Sequence, residues 1–97
     1  MSYRAYVYIL ASGRNGTLYV GFTNNLSRRV WEHKQGHTPG FTTRYGVVLL
    51  VWYEGYERII EAREREFRIK RWRREWKPVL IEAMNPDWRD LYVDLNG

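Results

Sequence analysis

The sequence predicts an α+β domain: a three-stranded, mainly antiparallel sheet flanked by helices, in the order ββαβαα. Three observations carry this. Two short segments near the N-terminus alternate with the two-residue period of strands, a third is an unbroken apolar run, and the remaining stretches repeat at helical spacing.

The first strand, Ala5–Ala11, puts Ala5, Val7 and Ile9 on one face and Tyr6, Tyr8 and Leu10 on the other. The cluster Ser12-Gly13-Arg14-Asn15-Gly16 is a turn. Thr17–Phe22 is the second strand, with Leu18, Val20 and Phe22 on one face and Tyr19 and Gly21 on the other. So short a connection favours an antiparallel hairpin. Thr23-Asn24-Asn25 supplies capping side chains for a helix from about Leu26 to Gln35, stopped at Gly36. His37–Gly46 reads as a loop, in which Thr42, Thr43, Arg44 and Tyr45 are candidate substrate contacts. Val47–Tyr53, apolar throughout, predicts a strand buried at the centre of the sheet. A long charged helix follows from Glu57 to about Arg73, and Pro78 marks the first turn of another that ends near Met84. Trp88, Leu91 and Tyr92 are placed to pin the C-terminal segment to the body. The 97 residues make one domain, with a core of about 3–84 and a tail of 85–97, and contain no internal repeat.

Composition narrows the function classes. The chain lacks cysteine, which removes disulfide scaffolds, thiolate zinc sites and cysteine nucleophiles together. The longest apolar run has seven residues, too few to cross a bilayer, and the start lacks a signal-peptide core. A soluble, cytoplasmic protein with no membrane partner is expected. Lys and Arg number 16 against 11 acids, and 13 of the 16 are arginine, whose planar fork grips phosphate at two points. Residues 58–77 hold nine bases and four acids, so this segment carries the whole net charge of +5. That is how a footprint for a polyanion looks. A solvated helix laced with pairs such as Glu61–Arg65 and Glu64–Arg68 has the same composition.

Three features resist a purely structural account. Tyr8 and Tyr19 fall on one face of the hairpin beside Gly21, which admits a close approach to the backbone. Arg29 and His33, four residues apart, share a helix face and together can hold a phosphate and move a proton near neutral pH. On the charged helix, Ile59, Ile60, Ala62, Phe67 and Ile69 form an apolar arc, and Glu66 returns to about 20° from Ile59, inside it. A carboxylate there needs a partner, either a cation such as Lys70 or a metal. Two histidines, His33 and His37, with no HExxH, do not make a zinc site. Ser2, Ser12 and Ser27 lie in no nucleophile elbow, and Gly13 and Gly16 are not followed by the GK[ST] of a P-loop.

These residues line up with one family. The chain resembles a GIY-YIG nuclease domain, close to the small stand-alone bacterial members, over roughly residues 3–92. Its first motif stands as Tyr6-Val7-Tyr8 and its second as Tyr19-Val20-Gly21, with Tyr6 in place of glycine and Val20 in place of isoleucine. Arg29 and His33 follow on the next helix, EAREREFRIKRW resembles the segment of the metal-binding glutamate, and Asn85 matches a late asparagine.

The resemblance implies a DNA endonuclease that hydrolyses phosphodiester bonds with one Mg²⁺, or Mn²⁺. Glu66 would be the metal carboxylate, Arg29 would hold the scissile phosphate, and Tyr8, with Tyr19 beside it, would orient or deprotonate the attacking water. A free phenol has a pKa of ~10, so Tyr8 as general base needs neighbouring positive charge to lower it. His33, at an ordinary ~6.5, is the easier base on energetic grounds, and the sequence does not decide between them. Arg28, Arg44, Arg63, Lys70 and Arg73 are candidate DNA contacts, and Gly21 and Asn85 are further site candidates. With no added zinc finger or helix-turn-helix, single-stranded or branched DNA, in repair or recombination, is expected ahead of a long specific duplex site. Two other readings stay open: a catalytically silent nucleic-acid-binding module, and a protein-interaction domain using Trp31, Trp52, Trp72, Trp76 and Trp88, which equally suit a core.

Overall fold

In the computed structural model, which describes residues 3–37 and 40–95, the hairpin forms as expected from β1 (Ala5–Ala11) and β2 (Leu18–Thr23). Its turn is closed by the Thr17 amide donating to Ser12 Oγ at 2.9 Å. The third strand, β3 (Leu49–Tyr56), pairs antiparallel with the other side of β1, so the strand order is β2-β1-β3. The central place predicted for the third strand therefore belongs to β1. The reason is two-sided burial. Ala5, Val7, Ile9 and Ala11 are fully buried against one layer, and Tyr8 and Leu10 against the other. Tyrosine in β1 made that burial look one-sided in the sequence. The apolar run of β3 serves an edge whose free side is covered by the tail: the Leu91 amide donates to Leu50 O at 2.7 Å, and the Leu50 amide donates to Asp90 Oδ1.

Helices cover both faces of the sheet. On one face, α3 (Ile59–Lys70) and α4 (Trp76–Met84) bring Ala62, Ile69 and Ile81 onto Val7, Ile9, Val20 and Val51. On the other, α1 (Leu26–Lys34) brings Leu26 and Val30 onto Tyr8, Leu10 and Leu50, joined by Val47 and Leu91. Asn25 caps α1 by accepting the Arg28 amide at 3.2 Å, and Gly36, at φ 74°, lies just past its end. The region read as a loop contains a short helix, α2 (Phe41–Tyr45), bracketed by Gly40 and Gly46, both with positive φ. Its threonines and flanking glycines are poor helix formers, which hid it. The neighbouring Thr38 and Pro39 lie outside the described residues, as do Asn96 and Gly97 at the end of the tail.

The tail is pinned as expected. Trp88 joins the first core and donates to Glu82 Oε2 at 2.7 Å, and Leu91 and Tyr92, the latter in α5 (Tyr92–Leu95), join the second. The tryptophans divide. Trp52 and Trp88 are buried and Trp72 packs partly, whereas Trp31 and Trp76 are exposed. Among the described residues, no helix is long and apolar enough to cross a membrane.

Candidate active site

Tyr8 sits at the middle of the central strand, opposite Gly21 on β2 and Tyr53 on β3. A Cβ built on Gly21 would lie 2.7 Å from the Tyr8 hydroxyl and 3.1 Å from Tyr19 Cε2. The close approach that Gly21 admits is thus that of the Tyr8 ring itself. The hydroxyl ends 3.1 Å from Nε2 of His33, whose Nδ1 lies 3.0 Å from Thr42 Oγ1. Tyr19 closes the cluster, with its ring centre 5.4 Å from the His33 ring and 6.3 Å from that of Tyr8.

Arg29, one turn before His33 on α1, pairs with Glu32 at 3.2 Å and lies close enough to Tyr8 for its charge to act on the phenol. With the Tyr8 hydroxyl donating to His33 Nε2, the imidazole carries its proton on Nδ1 and donates to Thr42 Oγ1. Burial, followed by the neighbouring Tyr19, pushes the Tyr8 phenol up to about 12, against the opposing pull of Arg29. Burial, followed by the Arg29 charge, pushes His33 down to about 4. Both groups are neutral at pH 7. Burial works against the Arg29 charge, but the neighbouring Tyr8 and Glu32 raise its pKa.

Glu66 comes from α3, whose buried residues belong to the other face, yet its charge is felt at Tyr8. It faces inward for a different reason from the one its sequence neighbours suggested. The predicted arc breaks up: Ala62 and Ile69 are buried, while Ile59, Ile60 and Phe67 are exposed. The inward stripe is Ala62, Arg65, Glu66 and Ile69, at i, i+3, i+4 and i+7. The Glu66 side chain is 17% exposed and takes Lys70 as a partner at 2.7 Å. Arg65, expected to pair with Glu61, instead reaches Glu54 of β3 at 3.1 Å. Among the described residues, no group of three or more His, Asp or Glu side chains is gathered to hold a metal ion.

A family model described as the GIY-YIG catalytic domain matches residues 4–78, across both tyrosine motifs, α1 and α3. The chain belongs to the GIY-YIG family. That is a nuclease family, and its relatives here carry a name that states no activity. A UPF0213 protein of Clostridium perfringens is 41% identical over 91 residues, covering 94% of this chain and 97% of that one. A UPF0213 protein of Bacillus pumilus is 35% identical over 79 residues, 81% of this chain and 80% of that one. The solution NMR structure of a UPF0213 protein from Bacillus halodurans aligns with a TM-score of 0.56 and 28% identity, over 89% of this chain and 90% of that one.

Within this GIY-YIG domain, Tyr8, Tyr19, Arg29 and His33 converge, with Glu66 near enough to act on Tyr8 through its charge. The candidate DNA contacts are more dispersed. Arg28 and Arg29 line a polar groove with Asn24 and Asn25, whereas Arg63 lines the open groove that contains Glu66. Lys70 is the partner of Glu66, Arg44 lies over Tyr45, and Arg73 lies over Trp76 beyond the end of α3. Asn85 is not gathered into the cluster. Its buried amide donates to Val51 O at 3.0 Å and Arg89 O at 2.8 Å and accepts the Arg89 amide, bracketing the tail to β3. Thr42, read only as a substrate contact, is the anchor of His33. No local sequence signal marks that role, because it arises from where α2 docks.

Proposed function

We propose that this GIY-YIG chain is a metal-dependent DNA endonuclease that hydrolyses phosphodiester bonds, directed by single-stranded or branched structure. The observation that carries this reading is the buried hydrogen-bonded chain Tyr8–His33–Thr42, with the Arg29 charge acting on the Tyr8 phenol. A buried phenol needs one hydrogen-bond partner; here that partner is an imidazole itself anchored on Thr42, with an arginine charge beside the pair.

In this mechanism Tyr8 positions the attacking water and takes its proton as the hydroxyl passes its own to His33 Nε2. Thr42 holds the imidazole with its Nε2 lone pair toward Tyr8. The low pKa of His33 means that it keeps this proton only transiently. Arg29 exchanges Glu32 for a phosphate oxygen and offsets the negative charge that grows in the transition state. Tyr19 walls the cluster and excludes water from the Tyr8–His33 bond. Glu66 is the carboxylate that would hold Mg²⁺ or Mn²⁺. One hard oxygen donor bordering an open groove fits an ion that keeps several waters and takes substrate phosphate as a further ligand. When bound, the ion supplies positive charge to the leaving oxygen.

The Glu66–Lys70 pair favours a second reading, in which the carboxylate is neutralised by lysine and the domain binds nucleic acid without cutting it. Cleavage of labelled single-stranded, duplex and branched DNA by wild type and Glu66→Ala, with Mg²⁺, Mn²⁺ or EDTA, separates the two. Metal-dependent cutting by wild type that disappears in Glu66→Ala supports the nuclease. Binding without cutting on every substrate supports the silent module.

A further inference from the structure

The outer surface of α3 is not an ordinary solvated helix face. Ile60 and Phe67 are 55% and 57% exposed, and both border the groove that contains Glu66, with Arg63 and Arg68 beside them. Phe22, at 36% exposed, presents a further ring from β2. Arginine accompanies both rings: the Arg71 guanidinium lies 4.9 Å from the centre of Phe67, and that of Arg63 lies 5.9 Å from the centre of Phe22.

We propose that Phe67, flanked by Ile60 and Phe22, is a stacking platform for unpaired nucleotide bases next to the scissile phosphate, with Arg63, Arg68 and Arg71 holding the phosphates around it. The proposal rests on the nuclease reading and narrows its substrate to a strand whose bases are free at the cut. A base inside a duplex has both faces covered by its neighbours, whereas an unpaired base has a face to give to an aromatic ring. Arginine suits the same site, since it grips phosphate and also stacks on rings. Charge favours this occupant over another copy of the chain. Residues 58–77 carry a net +5, which a second copy would have to bring against itself and a polyanion would neutralise. The groove's acids do not reverse that balance, because Glu66 is paired with Lys70 and only Glu64 is added to it.

The test is fluorescence anisotropy in EDTA, with a labelled single strand, the same strand containing abasic positions, and the matching duplex. Wild type, Phe67→Ala and Phe67→Trp are compared, with cleavage in Mg²⁺ measured in parallel. Because Phe67 is exposed, its alanine variant is expected to keep the wild-type circular dichroism spectrum. Phe67→Ala should bind the single strand about tenfold more weakly, with duplex affinity and the slope of affinity against salt unchanged. Phe67→Trp should bind as wild type does, and the abasic strand should bind wild type as weakly as the intact strand binds Phe67→Ala. Equal single-strand affinity for wild type and Phe67→Ala, while wild type still cuts in Mg²⁺, overturns the platform and leaves the nuclease standing. Wild type that neither binds nor cuts any DNA overturns both. A wild-type dimer that Phe67→Ala converts to a monomer gives this face to self-association and also overturns the platform.

Discussion

The Tyr8 hydroxyl and His33 Nε2 lie 3.1 Å apart, and each side chain is only 1% exposed. Two neutral polar groups placed so deep must satisfy each other, so the bond is both a structural requirement and a proton path. Disturbing either partner therefore has consequences for folding as well as for cleavage.

Gly21→Ala separates these two consequences. The added methyl would lie 2.7 Å from the Tyr8 oxygen and 2.8 Å from Cζ, so the ring must move off His33. A loss of about 1–3 kcal/mol is expected from overpacking, with cleavage lost further than stability accounts for. In a double-mutant cycle, the stability penalty should shrink in a Tyr8→Ala background, where the ring is gone. Full additivity would mean that Gly21 and Tyr8 do not contend for the same space.

The pH dependence of stability should report His33. Its folded pKa of about 4 lies below its ordinary 6.5, so the unfolded chain takes up the proton first. Stability is then fully present above about pH 6.5 and falls as pH drops toward 4, by roughly 3 kcal/mol at most from this residue. His33→Gln, which cannot be charged, should flatten that part of the profile in urea unfolding measured from pH 7.5 to 4. Parallel profiles for the two proteins would contradict a buried neutral imidazole.

Lys70 tests the metal assignment from the opposite direction. Its ammonium occupies a Glu66 oxygen at 2.7 Å, so a divalent cation has to compete with it. Lys70→Ala should tighten Mn²⁺ binding severalfold in a calorimetric or electron-spin titration, and Glu66→Gln should abolish binding in both backgrounds. Mn²⁺ affinity that is indifferent to both changes would remove Glu66 from the metal site.

Asn85 should behave as a structural residue. Asn85→Ala leaves Val51 O, Arg89 O and the Arg89 amide without their partner, at a cost of about 1–3 kcal/mol. Cleavage per folded molecule should stay at the wild-type rate. A selective loss of turnover in a fully folded Asn85→Ala protein would return it to the catalytic group.

The sequence by itself determined the pieces whose causes lie within a few residues. The alternation in β1 and β2 assigned the hairpin faces, Asn25 and Gly36 bounded α1, and the spacing of Arg29 and His33 put both on one helix. The two motifs, read with those residues and Glu66, were enough to indicate the family. Only the tertiary structure decided matters that depend on which surfaces meet. An apolar run has the same pattern in a central strand as in an edge strand covered by a tail, so the position of β3 was not readable. Apolar residues on α3 count equally toward helical periodicity whether they face the sheet or solvent, so the exposure of Ile60 and Phe67 was not readable either. The anchoring of His33 by Thr42 joins residues nine apart across an intervening turn, and the bracketing of β3 by Asn85 joins residues 34 apart. Periodicity and capping act along the chain, whereas burial, proton position and pairing are set by neighbours that only folding brings together.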